Sequence, residues 1–103
     1  MSDKLEEFRL KVAKFPDNLL FRFSYAQALS SENYTAEALE QLNLCVRQNQ
    51  DWMMAFLLKG KLELKLGKKE EAACSFSKTI KLAKMQSHDD PLNEAQELLN
   101  SLQ

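Results

Sequence analysis

The feature that most constrains this chain is an internal period of 34 residues. Shifting the sequence against itself by that interval brings Asp17 onto Asp51, Phe23 onto Leu57, Ala26 onto Gly60, Asn33 onto Gly67, Glu37 onto Glu71, Ala38 onto Ala72, Leu42 onto Phe76 and Val46 onto Ile80. A second shift brings Leu5, Phe8 and Val12 onto Leu39, Leu42 and Val46. Self-similarity at this spacing is the signature of stacked supersecondary units. Small residues recur where two helices must approach closely, and large ones where the space between them is filled. Asn33 and Gly67 recur where a turn needs a residue that tolerates positive φ.

The punctuation between these positions divides the chain into about six helices and predicts an all-α fold. Asp3 reads as an N-cap with Glu6 as its box partner, before a stripe of Leu5, Phe8 and Val12 that ends at Pro16. Asp17 and Asn18 can cap a second segment carrying Leu19, Leu20, Phe23, Ala26 and Leu29. A third stripe is Ala38, Leu39, Leu42, Cys45 and Val46; a fourth segment, capped by Asp51, runs from Trp52 to a stop at Gly67. The fifth carries Ala72, Ala73, Phe76, Ile80, Leu82 and Ala83. After a break at residues 87–90, Asp90 as N-cap and Pro91 in the first turn open a sixth with Leu92, Ala95, Leu98, Leu99 and Leu102. The alternation over residues 62–66 is the one strand-like stretch, and it sits inside a longer helical window. Short links between helices make sequence neighbours antiparallel.

Length and composition remove most other classes. A chain of 103 residues with 45% hydrophobic residues can bury one core and has no need of disulfides. Two glycines and two prolines are too few for a turn-rich β protein. A net charge of −1 provides no general attraction to nucleic acid or an anionic membrane, and no apolar run approaches a membrane span. The polar, acidic start from Met1 to Glu7 does not read as a signal peptide, so a cytoplasmic location is expected. Cys45 and Cys74 lack metal or redox spacing and read as free thiols, Cys74 being the more reactive.

These positions resemble the tetratricopeptide repeat family, in the manner of its small bacterial-type members. Phe56, Gly60, Gly67, Ala72 and Phe76 match the family pattern in one repeat, and Ala26, Asn33, Tyr34, Ala38 and Leu42 in the other. The resemblance implies an α-α superhelix of antiparallel helix pairs in a single domain. Residues 1–16 would form a half-repeat helix, 17–50 and 51–84 two repeats, and 90–102 a capping helix. The chain departs from the pattern at Arg22, Lys59 and Glu63, where large apolar residues are usual, and at Gln50 and Lys84, where prolines end a repeat. Lys59 and Glu63 are spaced to pair across one helical turn.

Chemistry-bearing motifs are sparse. His88 is the single histidine and has no further ligands at metal spacing; it reads as part of a solvated loop. There is no nucleophile-elbow context and no glycine-rich phosphate loop. The residues thus point to no enzyme, cofactor or metal. In the family, first helices of successive repeats line the concave face. The resemblance therefore implies a peptide-binding groove of Leu20, Phe23, Ser24, Gln27, Met54, Leu57, Leu58, Lys61 and Lys65, apolar in the centre with a basic rim. Some of these residues could instead be core, or be covered by the last helix. Family members that grip the carboxylate tail of heat-shock chaperones do so with a lysine–asparagine clamp. The matching places here hold Phe23, Gln27 and Leu58, so that role is not expected. The reading is a non-catalytic adaptor for a protein or peptide partner. The alternative is a homo-oligomeric scaffold, as in a homodimer, that uses the same face.

Overall fold

A computed structural model describes residues 3–102; Met1 and Ser2, at the start of the polar N-terminal segment, and Gln103 lie outside the described residues. Six helices follow one another: α1 (Asp3–Lys14), α2 (Leu19–Ser31), α3 (Thr35–Gln48), α4 (Met53–Lys65), α5 (Lys69–Gln86) and α6 (Asp89–Ser101). No strand occurs among the described residues. Each helix packs on its neighbours in sequence, and α4 also meets α6 along one edge. The result is a slab of 39 × 27 × 20 Å.

The period is written into the turns. Asn33 has φ +67° and Gly67 has φ +77°. At each, the amide of the positive-φ residue returns to a carbonyl three residues back, Ser30 or Leu64. The next amide closes on Leu29 or Glu63 at 2.9 and 2.8 Å. This Schellman arrangement satisfies the last helical carbonyls and reverses the chain. A third copy ends α5, where Ser87 takes φ +58° and His88 N–H donates to Ala83 O at 2.9 Å.

Between the paired helices the small residues sit where the 34-residue shift puts them. Ala26, Ala38 and Ala72 are fully buried, and Gly60 faces the fully buried ring of Phe76. One apolar cluster joins Leu5, Ala26, Leu29, Ala38, Leu42 and Ala55, with Phe8, Phe23 and Trp52 against it. A second joins Leu57, Ala72, Phe76 and Ala95, with Leu98, Leu99 and Leu102 of α6 against it. The terminal helix thereby closes a core that α4 and α5 leave open.

The departures at Arg22, Lys59 and Glu63 are partnered by hydrogen bonds. Arg22 donates to Gln41 Oε1 at 2.6 Å and to Pro16 O at 3.0 Å, tying α2 to α3 and to the preceding loop. Between α4 and α5, Lys59 Nζ donates to Glu63 Oε2 at 2.8 Å and to Ser75 Oγ at 3.3 Å, while Ser75 Oγ donates to Glu63 Oε1 at 2.5 Å. Glu63 is only 4% exposed, so this ion pair lies inside the α4–α5 contact with its charge fully partnered. Gln86 Nε2 donates to Asp51 O at 3.3 Å, fastening the end of α5 to the loop before α4.

Of the two cap candidates before α2, Asn18 takes the role, its Oδ1 accepting Phe21 N–H at 3.0 Å; the other expected caps are corrected. Asp51 does not cap α4: its own amide donates to Asn49 Oδ1 at 3.1 Å, and Trp52 holds the cap position without a side-chain bond. The Trp52 indole packs against Phe23 instead. The tight turn at Ser87 leaves His88 as the residue before α6 and draws Asp89 and Asp90 into its first turn, where their charge favours the helix dipole. Asp3 likewise lies in the first turn of α1.

Candidate functional site

Residues 23, 27, 30 and 31 share one face of α2, and residues 54, 57, 58 and 61 share one face of α4, because positions three and four apart align on a helix. Where the two faces meet they enclose a cleft of about 280 Å³ lined by Phe23, Gln27, Ser30, Ser31, Met54, Leu57, Leu58 and Lys61. Its floor is core: Leu57 is 1% exposed and packs with Ala72, Phe76 and Ala95. Its wall is Phe23, half-buried, with its ring 4.9 Å from that of Trp52 and tilted by 38°. Its rim is Met54, 45% exposed. The cleft thus joins an apolar floor and wall, Leu57 and Phe23, to polar lining from Gln27, Ser30, Ser31 and Lys61.

The other residues expected from the sequence lie elsewhere. Ser24 faces a neighbouring cleft of about 180 Å³ between α1 and α2, lined also by Lys4, Phe8, Gln27, Ala28, Ser31 and Glu32. Gln27 and Ser31 form the ridge between the two clefts. Leu20 is exposed outside both, and Lys65 Nζ donates to Asn33 Oδ1 at 3.2 Å. Ser30 and Ser31 were missed as lining residues. Their signal was available, since they lie one turn beyond Gln27 on the same helical face.

Of the two lysines expected to form a basic rim, Lys61 has an acidic partner within the chain. Lys61 Nζ pairs with Glu94 Oε2 of α6, the two side chains keeping 41% and 46% of their exposure. No sequence period announces this contact, because it depends on how α6 crosses the edge of α4.

No His, Cys, Asp, Glu or Tyr is among the described residues lining this cleft. Burial pushes the Cys45 thiol up to about 11, against the opposing charge of Arg22. Cys74 is exposed on α5. His88 is exposed at the start of α6 and makes no side-chain capping bond. Among the described residues no cluster of His, Cys, Asp and Glu is placed to hold a metal ion, and no helix is long and apolar enough to cross a membrane.

The arrangement of helices is similar to that of solved structures. A tetratricopeptide repeat domain protein from Salinibacter ruber, solved by NMR, superposes with a TM-score of 0.76 at 20% identity, over 85% of this chain and 89% of that one. A protein from Bordetella parapertussis superposes with a TM-score of 0.83 at 20% identity, over 99% of this chain and 89% of that one. PcrH, in a crystal structure with the chaperone binding region of PopD, gives a TM-score of 0.88 at 15% identity, over 95% of this chain and 74% of that one. No curated protein matches the sequence. The six helices thus have a tetratricopeptide-repeat fold. With residues 19–102 matching its model, the chain belongs to the family described as "Uncharacterized protein conserved in bacteria (DUF2225)".

Proposed function

We propose that the protein is a non-catalytic interaction module, cytoplasmic, whose α2–α4 cleft receives an apolar side chain from a peptide or helix of a protein partner. The observation that carries this reading is the cleft itself: Phe23, Met54 and Leu58 around a floor at Leu57. Apolar and methionine surface of this kind adapts to a partner segment, and one buried anchor supplies most of the binding energy. Further support comes from PcrH, which has this fold and is found with a segment of PopD. The two free thiols agree with a reducing compartment.

The test is binding of peptides selected from a displayed random library against the whole chain. Met54→Glu places a charge at the rim on an already exposed residue, so the fold is retained. It should lower the affinity of the selected peptide by at least about tenfold, the scale of a lost hot-spot contact. Leu10→Glu, on an exposed position of α1 outside both clefts, should leave it unchanged. Equal binding by both variants would place the partner elsewhere. Sedimentation of the free chain separates this reading from self-assembly through the same face.

A further inference from the structure

Lys61 is the one charged side chain among the described residues lining the cleft, and it is paired with Glu94 of α6. The edge that α6 adds beside the cleft is acidic beyond that pair. We propose that the segment seated on the cleft is basic: it carries a lysine or arginine next to its apolar anchor, held by carboxylates of α6. This rests on the binding reading above and deepens it by naming the chemistry of the partner.

The charges near the cleft mouth decide the sign. α6 carries Asp89, Asp90, Glu94 and Glu97 and no lysine or arginine. Asp90 and Glu97 lie four residues before and three after Glu94, on the same face of the helix and about 5 Å away along its axis. All three are exposed, and neither Asp90 nor Glu97 makes an ion pair with another described residue. Glu94 is fixed at the mouth by its contact with Lys61. Its two neighbours therefore lie within the roughly 10 Å over which exposed charges act at ordinary salt. On α4, Lys59 is matched by Glu63, which leaves Lys61 and Lys65 as the positive charges. Lys65 is turned to Asn33, away from the lining. α2 adds no charge to the cleft: its lining residues are Phe23, Gln27, Ser30 and Ser31. The α4–α6 edge thus sets Lys61 and Lys65 against four carboxylates. An incoming ammonium or guanidinium meets Asp90 and Glu97 uncommitted, whereas an incoming carboxylate has to displace Glu94 from Lys61 against that field. The apolar anchor supplies most of the affinity, and the α6 carboxylates supply selection and association rate.

The experiment selects a displayed library of random short peptides against the whole wild-type chain at low salt. The selected pool should share an apolar anchor and be enriched in Lys and Arg beside it relative to the starting library. A synthetic peptide from that pool is then titrated into wild type, Asp90→Asn, Glu97→Gln and Glu40→Gln, each checked by a melt. Asp90→Asn and Glu97→Gln should each weaken binding about two- to fivefold, the scale of one exposed ion pair. Added salt should shrink that difference. Glu40→Gln makes the same change of charge at an exposed position of α3 and should leave the affinity unchanged. Apolar-anchored peptides with neutral or acidic flanks would overturn the basic partner and leave the cleft intact as a binding site. Unchanged affinity in both α6 variants, or an equal loss in Glu40→Gln, would do the same. Pools without any apolar anchor would remove the binding reading and this inference with it.

Discussion

Gly60 of α4 lies so close to Phe76 of α5 that a Cβ added to it would sit 2.5 Å from Phe76 Cε1 and 2.7 Å from Cδ1. One period earlier the same two places hold Ala26 and Leu42, both fully buried in one cluster. A methyl with a leucine in the first pair, and no side chain with a phenyl ring in the second, fill similar space in two ways.

Gly60→Ala should therefore destabilise by about 1–2 kcal/mol: overpacking against a buried ring outweighs the roughly 1 kcal/mol of helix propensity gained. Adding Phe76→Leu, which copies the Ala26–Leu42 solution, should recover part of the loss. Urea denaturation of the two single variants and the double variant gives the coupling. A double variant no more stable than the sum of the singles would show the two positions to be independent.

The ion pair inside α4–α5 makes a different demand. Glu63→Ala leaves the Lys59 ammonium without its counter-ion and the Ser75 hydroxyl without its acceptor in a largely buried site. It should cost about 2–4 kcal/mol, somewhat softened because Lys59 keeps 18% of its side-chain exposure. Replacing Lys59, Glu63 and Ser75 together by Leu, Tyr and Ala should be far milder than the single change. The contrast between the two melts carries the test: a triple variant as unstable as Glu63→Ala would show that apolar packing does not substitute for the pair.

Ser87 adopts a left-handed conformation, φ +58°, that costs a side-chain-bearing residue about 1–2 kcal/mol. Ser87→Gly should raise stability by roughly 1 kcal/mol, the left-handed cost outweighing the extra freedom of glycine in the unfolded chain. Unchanged or lowered stability would mean the turn is held by something other than backbone preference.

These three sites also show what a sequence can and cannot convey. Asn33 and Gly67 were legible as positive-φ turns because residue type and period agreed. Ser87 makes the same turn with a residue that does not advertise it, so the cap of α6 was expected two residues late, at Asp90 rather than His88. Lys59 and Glu63 were visible as misfits and as a pair, but not their partner Ser75, which lies on the opposite helix. Leu57 and Leu58 are adjacent in sequence and differ in depth: Leu57 is floor and core, Leu58 remains half-buried in the wall. Lys61–Glu94 escaped because α6 follows no repeat of this chain.

The Cys45 thiol gives a pH test. Its folded pKa is raised from 9.0 to about 11 by burial, so the unfolded chain ionises first as pH rises. The stability contributed by the neutral thiol is complete below about pH 9 and is lost by about pH 11. Relative to Cys45→Ala, the wild type should lose up to about 2 kcal/mol across that interval. A constant difference between the two in reducing buffer would contradict the raised pKa.

The account's central claim is that the α2–α4 cleft seats a partner's apolar side chain. Methyl NMR of the whole chain, titrated with a peptide selected against it, tests this most directly. Saturable shifts at the methyls of Met54, Leu57 and Leu58, with Leu10, Leu44 and Met85 unmoved, are the predicted result. Shifts at Leu10, Leu44 or Met85 while Met54 and Leu58 stay in place would contradict it.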